Sequence, residues 1–436
     1  MKNFEKYLKG DKTIWCFVAL LSIFSLLLVY SSTAGISWRS SGAVPFYYLS
    51  KQLVFLLAGF GLMYLCSRTP YTLFMNFAPV AYLAALVLMV VMLFIGRSHN
   101  QAVRSLGFFQ PAELCKLALI LYVARLMTLK QDCIKDFRKG FVPIVLPVIA
   151  MCFLIFLSNF STAAILGVTC FTVMFIGRTR VRYLLATVGS LLALTALALC
   201  LTKVVTDAVS TKEKSKEKIT GVLLVSNKVI SMTRLKTMYS RIEDKFDDKR
   251  VANAAGSGAL EQPDFSHMAI ASGGFLGKGP GNSKMRYYLP EAYSDFIFAI
   301  LIEEYGILGA TVLVLIYLIL MFRVGVMVHK SMRFFPAILA IGLITQIMLQ
   351  ALVNMCVATG LTPVTGQNLP LISQGGTSIL VTCLMFGMLL SVSRSLEKEE
   401  EKSLEMMAQR DEEATDSNDA LARETIANLN PQPAVS

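Results

Sequence analysis

The stretch LPEAYSDFIFAILIEEYGILGA at 289–310 carries four carboxylates, Glu291, Asp295, Glu303 and Glu304, at the mouth and in the upper half of an otherwise apolar helix. A carboxylate partly withdrawn from water at such a boundary can take a proton from an alcohol. Ser294 or Asp295 also suits the N-cap of the helix that follows, and spacing alone leaves both roles of Asp295 open. Glu303 and Glu304 lie about 12 Å further along at 1.5 Å per residue. Ionisable groups at that depth face a bundle interior, a wet cavity or a buried base. Being adjacent, they point about 100° apart and cannot share one environment.

Three other stretches carry polar groups that could serve the same chemistry. QPAELCKL (110–117) opens a helix with Pro111 and puts Glu113 and Lys116 on one face. They form either an internal salt bridge or, with Arg104 nearby, a site for an anionic headgroup. SGGFLGKGPGNSK (272–284) is glycine-rich and basic but lacks the GxxxxGK[ST] order, so a P-loop is rejected. It is either a flexible loop or a tight turn whose Lys278, Lys284 and Arg286 attract phosphate. GLTPVTGQNLPLISQGGTS (360–378) has two prolines, four glycines, Gln374 and no charge. That composition suits a re-entrant segment lining a cavity, or an ordinary turn. The nine cysteines and three histidines show no CxxC or Cys/His ligand spacing, so neither zinc nor a disulfide framework is indicated.

The elements that hold these residues are membrane spans. The chain has 436 residues, 55% hydrophobic and 16% charged, against about 25% charge in soluble domains. Ten apolar segments run over 14–34, 46–66, 72–95, 112–128, 141–157, 162–177, 183–201, 296–322, 334–359 and 371–393, each near the roughly 20 residues a bilayer requires. The fold class read here is an all-α polytopic membrane protein. With the N-terminus inside, 19 Lys and Arg fall on inner segments, Lys2, Arg68, Arg138, Arg180 and Arg333 among them. Four fall on short outer connections: Arg39, Lys51, Arg97 and Arg104. That asymmetry puts both termini in the cytoplasm. It also accounts for the net charge of +12 without nucleic acid.

One long outer connection, about 202–295, separates the seventh and eighth spans. Its part 221–238 is either an amphipathic surface helix or a disordered loop. Residues 1–395 form the membrane domain. The polar tail, 396–436, is expected to be disordered, with a helical start over 396–410. No internal repeat of the inverted-transporter kind is present. Asp295, the glycine loop, Arg104, Lys116 and 360–378 all fall at the outer leaflet, which suits a reaction on a lipid-linked phosphate.

Three stretches together, LPEAYSDFIFAILIEEYGILGA, RSLGFFQPAELCKLALILYVA (104–124) and LTPVTGQNLPLISQGGTSIL (361–380), resemble the shape, elongation, division and sporulation family of bacterial membrane proteins. The resemblance covers about 10–395, and GKGPGNSKMRYYLPEA is more similar to its division branch than to its elongation branch. It implies ten spans, a large extracytoplasmic loop and peptidoglycan glycosyltransferase activity at the septum of the cytoplasmic membrane. It implies lipid II and glycan linked to undecaprenyl diphosphate as substrates. It also implies a class B penicillin-binding transpeptidase and other divisome membrane proteins as partners. SDFIF places the family's catalytic aspartate on Asp295. Arg104, Glu113, Lys116, Lys278, Glu291 and Gln374 are the residues expected around the substrate. A divalent cation, Mg or Mn, is a further candidate for the diphosphate. The chain departs from the family at SNFSTA (158–163), where Asn159 stands at an acidic position, and at Thr365, where some division members carry lysine. A lipid II flippase and a noncatalytic scaffold are the competing functions.

Overall fold

The computed structural model describes residues 10–39, 45–95, 97–99, 102–105, 110–190, 262–289 and 292–429. Its elements are α1 (Lys12–Arg39), α2 (Pro45–Arg68), α3 (Tyr71–Ile95), β1 (Arg97–His99), β2 (Ala102–Ser105), α4 (Pro111–Leu129) and α5 (Val142–Ser158). They continue with α6 (Phe160–Ile176), α7 (181–190), α8 (Gln262–Gly273), α9 (Ile297–Lys330), α10 (Phe334–Ala358) and α11 (Gly376–Leu429). Glu291, the stretch 221–238 and most of the long connection lie outside the described residues.

Among the described residues, seven helices, α1, α2, α3, α5, α9, α10 and α11, are long and apolar enough to cross a membrane. Three more fall on segments the sequence marks as spans, and each falls short of that standard for its own reason. Helix α4 carries Glu113, Lys116 and Arg125 within 19 residues. Helix α6 is 17 residues long, and α7 is described over 181–190 only.

The described residues are almost wholly helical, as the fold class expects; the exception is a short hairpin in which β1 and β2 pair antiparallel with Arg97 opposite Ser105. The connection between α3 and α4 has to cross the end of the bundle, and a hairpin pairs backbone groups that a bare loop would leave open. Helix α11 runs unbroken for 54 residues to Leu429, past the helical start expected over 396–410. Beyond Gly387 it is rich in Glu, Lys, Met and Ala, and meets neither glycine nor proline before Pro431, so nothing interrupts its helical preference.

Helices in hydrocarbon gain little by burying apolar surface against one another, so close approach of small residues has to hold them. Helix α11 crosses α2 in this way at Gly387. A Cβ there would lie 2.7 Å from Cys66 Cβ and 2.8 Å from the Met63 carbonyl oxygen. Large apolar side chains such as Leu57, Leu83 and Phe322 stay more than 60% exposed on the bundle's outside. That is the arrangement expected of a surface bathed in lipid.

The bundle end bearing Arg68, Arg323 and Arg333 is tied by ion pairs and caps. Asp11 pairs with Arg323, and Arg333 bonds Tyr71 at 2.6 Å and Glu399 at 2.8 Å. Arg394 donates to the Arg68 carbonyl at 2.8 Å. The short connections bring the start of α4, the α5–α6 junction, the start of α9, the end of α10 and the start of α11 together at the opposite end.

Candidate functional site

That opposite end carries a polar layer around Asp295. The residue sits in the turn 292–296 and is partly exposed. The N-cap of α9 is Phe296, whose side chain makes no capping bond. Asp295 therefore stands one residue before the position at which a cap would act. Ser294 Oγ lies 3.1 Å from Asp295 Oδ1 and 3.0 Å from Asn368 Oδ1; with one proton, it donates to one of them at a time.

The backbone of this turn is pinned from two sides. Asn354 Nδ2 donates to the Asp295 carbonyl at 3.1 Å and to the Gln367 carbonyl at 2.7 Å. Ser373 Oγ donates to the Ser294 carbonyl at 2.7 Å, and the Gln374 amide to the Tyr293 carbonyl at 2.9 Å. The segment 360–375 is thus neither helix nor free loop. It folds back into the bundle, where its backbone is held by side chains of neighbouring helices.

From Asn368 the network runs inward. Gln350 Nε2 donates to the Asn368 carbonyl at 3.0 Å. Gln350 Oε1 accepts from Lys116 Nζ at 2.9 Å, and Lys116 pairs with Glu113 at 2.8 Å. Lys116 is fully buried and Glu113 nearly so. Burying this charge is tolerable only because its counter-charge is buried with it. A side branch joins Gln367 Nε2 to Thr162 Oγ1 at 2.8 Å.

Gln346, Gln350 and Asn354 recur every fourth residue and so share one face of α10. The stripe reaches about 12 Å inward from Asn354, to Gln346 beside Thr169 at 2.9 Å. Beyond it the packing is apolar. A Cβ on Gly342 would meet Ile120 at 2.6 Å, and Leu339 and Leu343 are fully buried.

The second acidic group lies elsewhere. Helix α9 breaks at Gly306, with φ 69° and ψ −172°. A break leaves the last carbonyls of one segment and the first amides of the next without helical partners. The glycine loop supplies them: the Lys278 and Gly279 amides donate to the Glu303 and Glu304 carbonyls at 2.9 Å each. The Ile307 and Leu308 amides donate to the Gly274 and Phe275 carbonyls at 3.1 and 3.2 Å. A side chain has no room here, since a Cβ on Gly277 would lie 2.3 Å from the Glu304 carbonyl oxygen.

Glu303, fully buried, closes this clasp. It accepts from Lys278 Nζ at 2.7 Å, Ser283 Oγ at 2.5 Å and the Lys284 and Met285 amides at 3.1 and 3.2 Å. Glu304 faces differently. It bonds Ser31 of α1, and Arg286 stands 4.0 Å away.

Of the residues expected around the substrate, Asp295, Glu113, Lys116 and Gln374 are therefore brought into one hydrogen-bonded layer. Lys278 is not part of it, being the counter-ion of Glu303. Lys116 meets Glu113 and Gln350 inside the bundle rather than presenting its ammonium to a headgroup. Arg104 lies on β2, and Glu291 is outside the described residues. Sequence reading took Ser294 only as an N-cap and missed Gln350, Asn354, Gln367 and Asn368, although the four-residue spacing on α10 carried a signal for two of them. Among the described residues no group of three or more His, Cys, Asp or Glu could hold a metal.

The chain matches the cell cycle protein family of FtsW, RodA and SpoVE over residues 11–398. It belongs to that family. A probable peptidoglycan glycosyltransferase FtsW from Geobacter sulfurreducens is 31% identical over 404 residues, covering 91% of this chain and 97% of that protein. Stage V sporulation protein E of Bacillus subtilis is 29% identical, covering 86% and 94%. Two solved structures share the fold. A chain of a peptidoglycan synthase complex has a TM-score of 0.64 at 23% identity, covering 89% and 99%. Thermus thermophilus RodA, a rod shape determining protein, has 0.59 at 22%, covering 89% and 98%.

Proposed function

We propose that the protein is a membrane peptidoglycan glycosyltransferase that polymerises lipid II during cell division. The observation that carries this reading is the layer itself, which joins SDFIF, PAELCK and QNLPLISQ through bonds that converge on the turn of Asp295. Family membership and the glycosyltransferase relatives support it.

In this reading all ten apolar segments span the cytoplasmic membrane of the bacterium, both termini are cytoplasmic, and the Asp295 end faces the periplasm. The Lys and Arg bias supports that orientation. Asp295 accepts the proton of the acceptor's sugar 4-hydroxyl as its oxygen attacks the donor's anomeric carbon. The carbon–oxygen bond to undecaprenyl diphosphate breaks as the new glycosidic bond forms, which inverts the anomeric centre. Lys116 and Glu113 position α4 against α10. Arg104, on the hairpin at the same end, is the cation proposed for the departing diphosphate. A class B penicillin-binding transpeptidase is the proposed partner, as the synthase complex among the structural neighbours suggests.

A flippase needs a polar path through both leaflets, whereas the polar stripe on α10 gives way to packed apolar side chains beyond Gln346. The test is gel analysis of glycan made from purified lipid II by the protein with its transpeptidase. Wild type yields polymer and Asp295→Ala does not, while the complex still assembles. Polymer from Asp295→Ala would refute the role of this residue, and growth supported by Asp295→Ala would favour a scaffold.

A further inference from the structure

Seven exposed cations gather at the end of the bundle away from Asp295. Four lie within 130–139, between α4 and α5, and Arg178, Arg180 and Arg182 lie at the junction of α6 and α7. Lys130 stands about 20 Å along α4 from Lys116 of the Asp295 layer. The same turns hold two carboxylates, Asp132 and Asp136, and among the described residues none of the seven cations pairs with an acid. An unbalanced cluster of one sign repels itself and attracts an anion.

The cluster is gathered by packing. One wide helical turn, Phe137–Phe141, faces the start of α7, where the Tyr183 ring lies 5.1 Å from Phe137 and 5.5 Å from Phe141. The guanidiniums of Arg180 and Arg182 lie 6.0 and 5.6 Å from the same ring, within cation–π range. Arg138 and Lys139 belong to the facing turn. A single aromatic core thus draws together cations from two connections distant in sequence.

Arg178 adds a second, independent observation. Helix α6 closes in a Schellman turn: the Arg178 amide donates to the Phe175 carbonyl at 3.2 Å, and the Thr179 amide to the Met174 carbonyl at 3.2 Å. The residue that closes such a turn is left-handed and most often glycine. Here it is Arg178, at φ 65°. The glycine stands one residue earlier, where a Cβ would lie 1.9 Å from Met127 Cε. An L side chain enters the left-handed region only against steric resistance. Setting the orientation of the bundle needs Lys and Arg in number; it does not need an arginine in a glycine position. Strain kept at an exposed residue points to a role beyond the fold.

The surroundings select the kind of anion. Phe175 and Ile176 precede Arg178, Val181 separates Arg180 from Arg182, and Leu185 follows on α7; all four are exposed. A soluble anion would leave these side chains bare. An anionic glycerophospholipid covers both halves: its phosphate takes the forked guanidinium donors, and its acyl chains lie along the apolar side chains. We propose that the turn 137–141 and residues 178–183 form a binding site for an anionic phospholipid. The site goes beyond the proposed function and does not depend on it. In the orientation proposed above, the lipid belongs to the cytoplasmic leaflet.

The test uses the delipidated full-length protein in dodecyl maltoside at low salt. Binding and thermal midpoint are measured with dioleoylphosphatidylglycerol, dioleoylphosphatidylcholine and inorganic phosphate. The variants are Arg178→Gly, the double variant Arg180→Gln with Arg182→Gln, and, as a control, Lys402→Gln on the projecting length of α11. Wild type and the control should bind the anionic lipid about 5–10-fold more tightly than the zwitterionic one. Arg178→Gly and the double variant should each lose about fivefold for the anionic lipid only. Lipid-free Arg178→Gly should melt at or above the wild-type midpoint, because glycine relieves the turn, yet gain less than wild type from added phosphatidylglycerol. Equal affinity of wild type for the two lipids would overturn the proposal. So would a loss that Lys402→Gln matches, which would make the attraction a matter of net charge. A lowered midpoint of lipid-free Arg178→Gly would assign that arginine to the fold. Protection of wild type by inorganic phosphate as strong as that by the anionic lipid would replace the lipid with a soluble anion. Tight binding of poly-L-glutamate without preference between the lipids would give the face to an acidic protein instead.

Discussion

Asp295 and Glu303 stand eight residues apart on one stretch of chain, and the bundle treats them in opposite ways. Glu303 is fully buried, neutralised by the Lys278 ammonium and clasped by two serine hydroxyls and two backbone amides. Asp295 keeps part of its surface exposed, and neutral amides and hydroxyls are among the side chains bonded to its turn. A carboxylate that holds a broken helix together needs fixed partners on every side. One that collects a proton needs access and an orientation set through its backbone. Under the proposed function the same residue type serves architecture at one position and chemistry at the other, and burial separates the two more clearly than sequence does.

The contrast breaks first at Asp295. Asp295→Asn keeps the shape and the neighbouring Ser294 but removes the base. Turnover of lipid II should fall about 100- to 10,000-fold, with the thermal midpoint within a degree or two of wild type. A variant that retained more than about a tenth of the rate would place the base elsewhere.

Glu113→Ala should act on stability instead. It strands the Lys116 ammonium inside the bundle, at a cost of about 3–5 kcal/mol, read as a large drop in the midpoint of the detergent-solubilised protein. The double variant Glu113→Ala with Lys116→Met should recover most of that loss. Failure of that rescue would mean that Lys116 does more than balance a charge.

Gly306→Ala sharpens the other side of the comparison. Its Cβ would lie 2.2 Å from the Phe275 carbonyl oxygen. Opening of the clasp should cost about 2–3 kcal/mol, seen as faster hydrogen exchange at 274–279 and 303–308. Ser294→Ala should have the smallest effect, slowing turnover about fivefold through the loss of one hydrogen bond, with little change in the midpoint.

The helices were legible because long apolar runs leave few alternatives, and each marked segment carries helix where it is described. The pairing of Glu113 with Lys116 was one of the two readings that their three-residue spacing left open. What stayed hidden depended on distant backbone. No local pattern announces that the glycine loop at 273–279 will supply partners to a helix broken at Gly306, since the pairing spans about thirty positions and is made by main chain. Lys278 looked like a phosphate ligand because its carboxylate partner lay 25 residues away. The side chains around Asp295 were missed for a related reason. Glutamine and asparagine in an apolar run read as isolated exceptions until their helical face is set against the returning segment.

Helix α11 joins the two ends of the bundle in a single shaft. Its 54 residues extend about 80 Å. The first of them, Gly376, is two positions from Gln374, and Glu399 much further along is anchored to Arg333. Any protein that seizes the projecting length beyond that anchor has hold of the same axle on which the segment bonded to the turn of Asp295 is mounted.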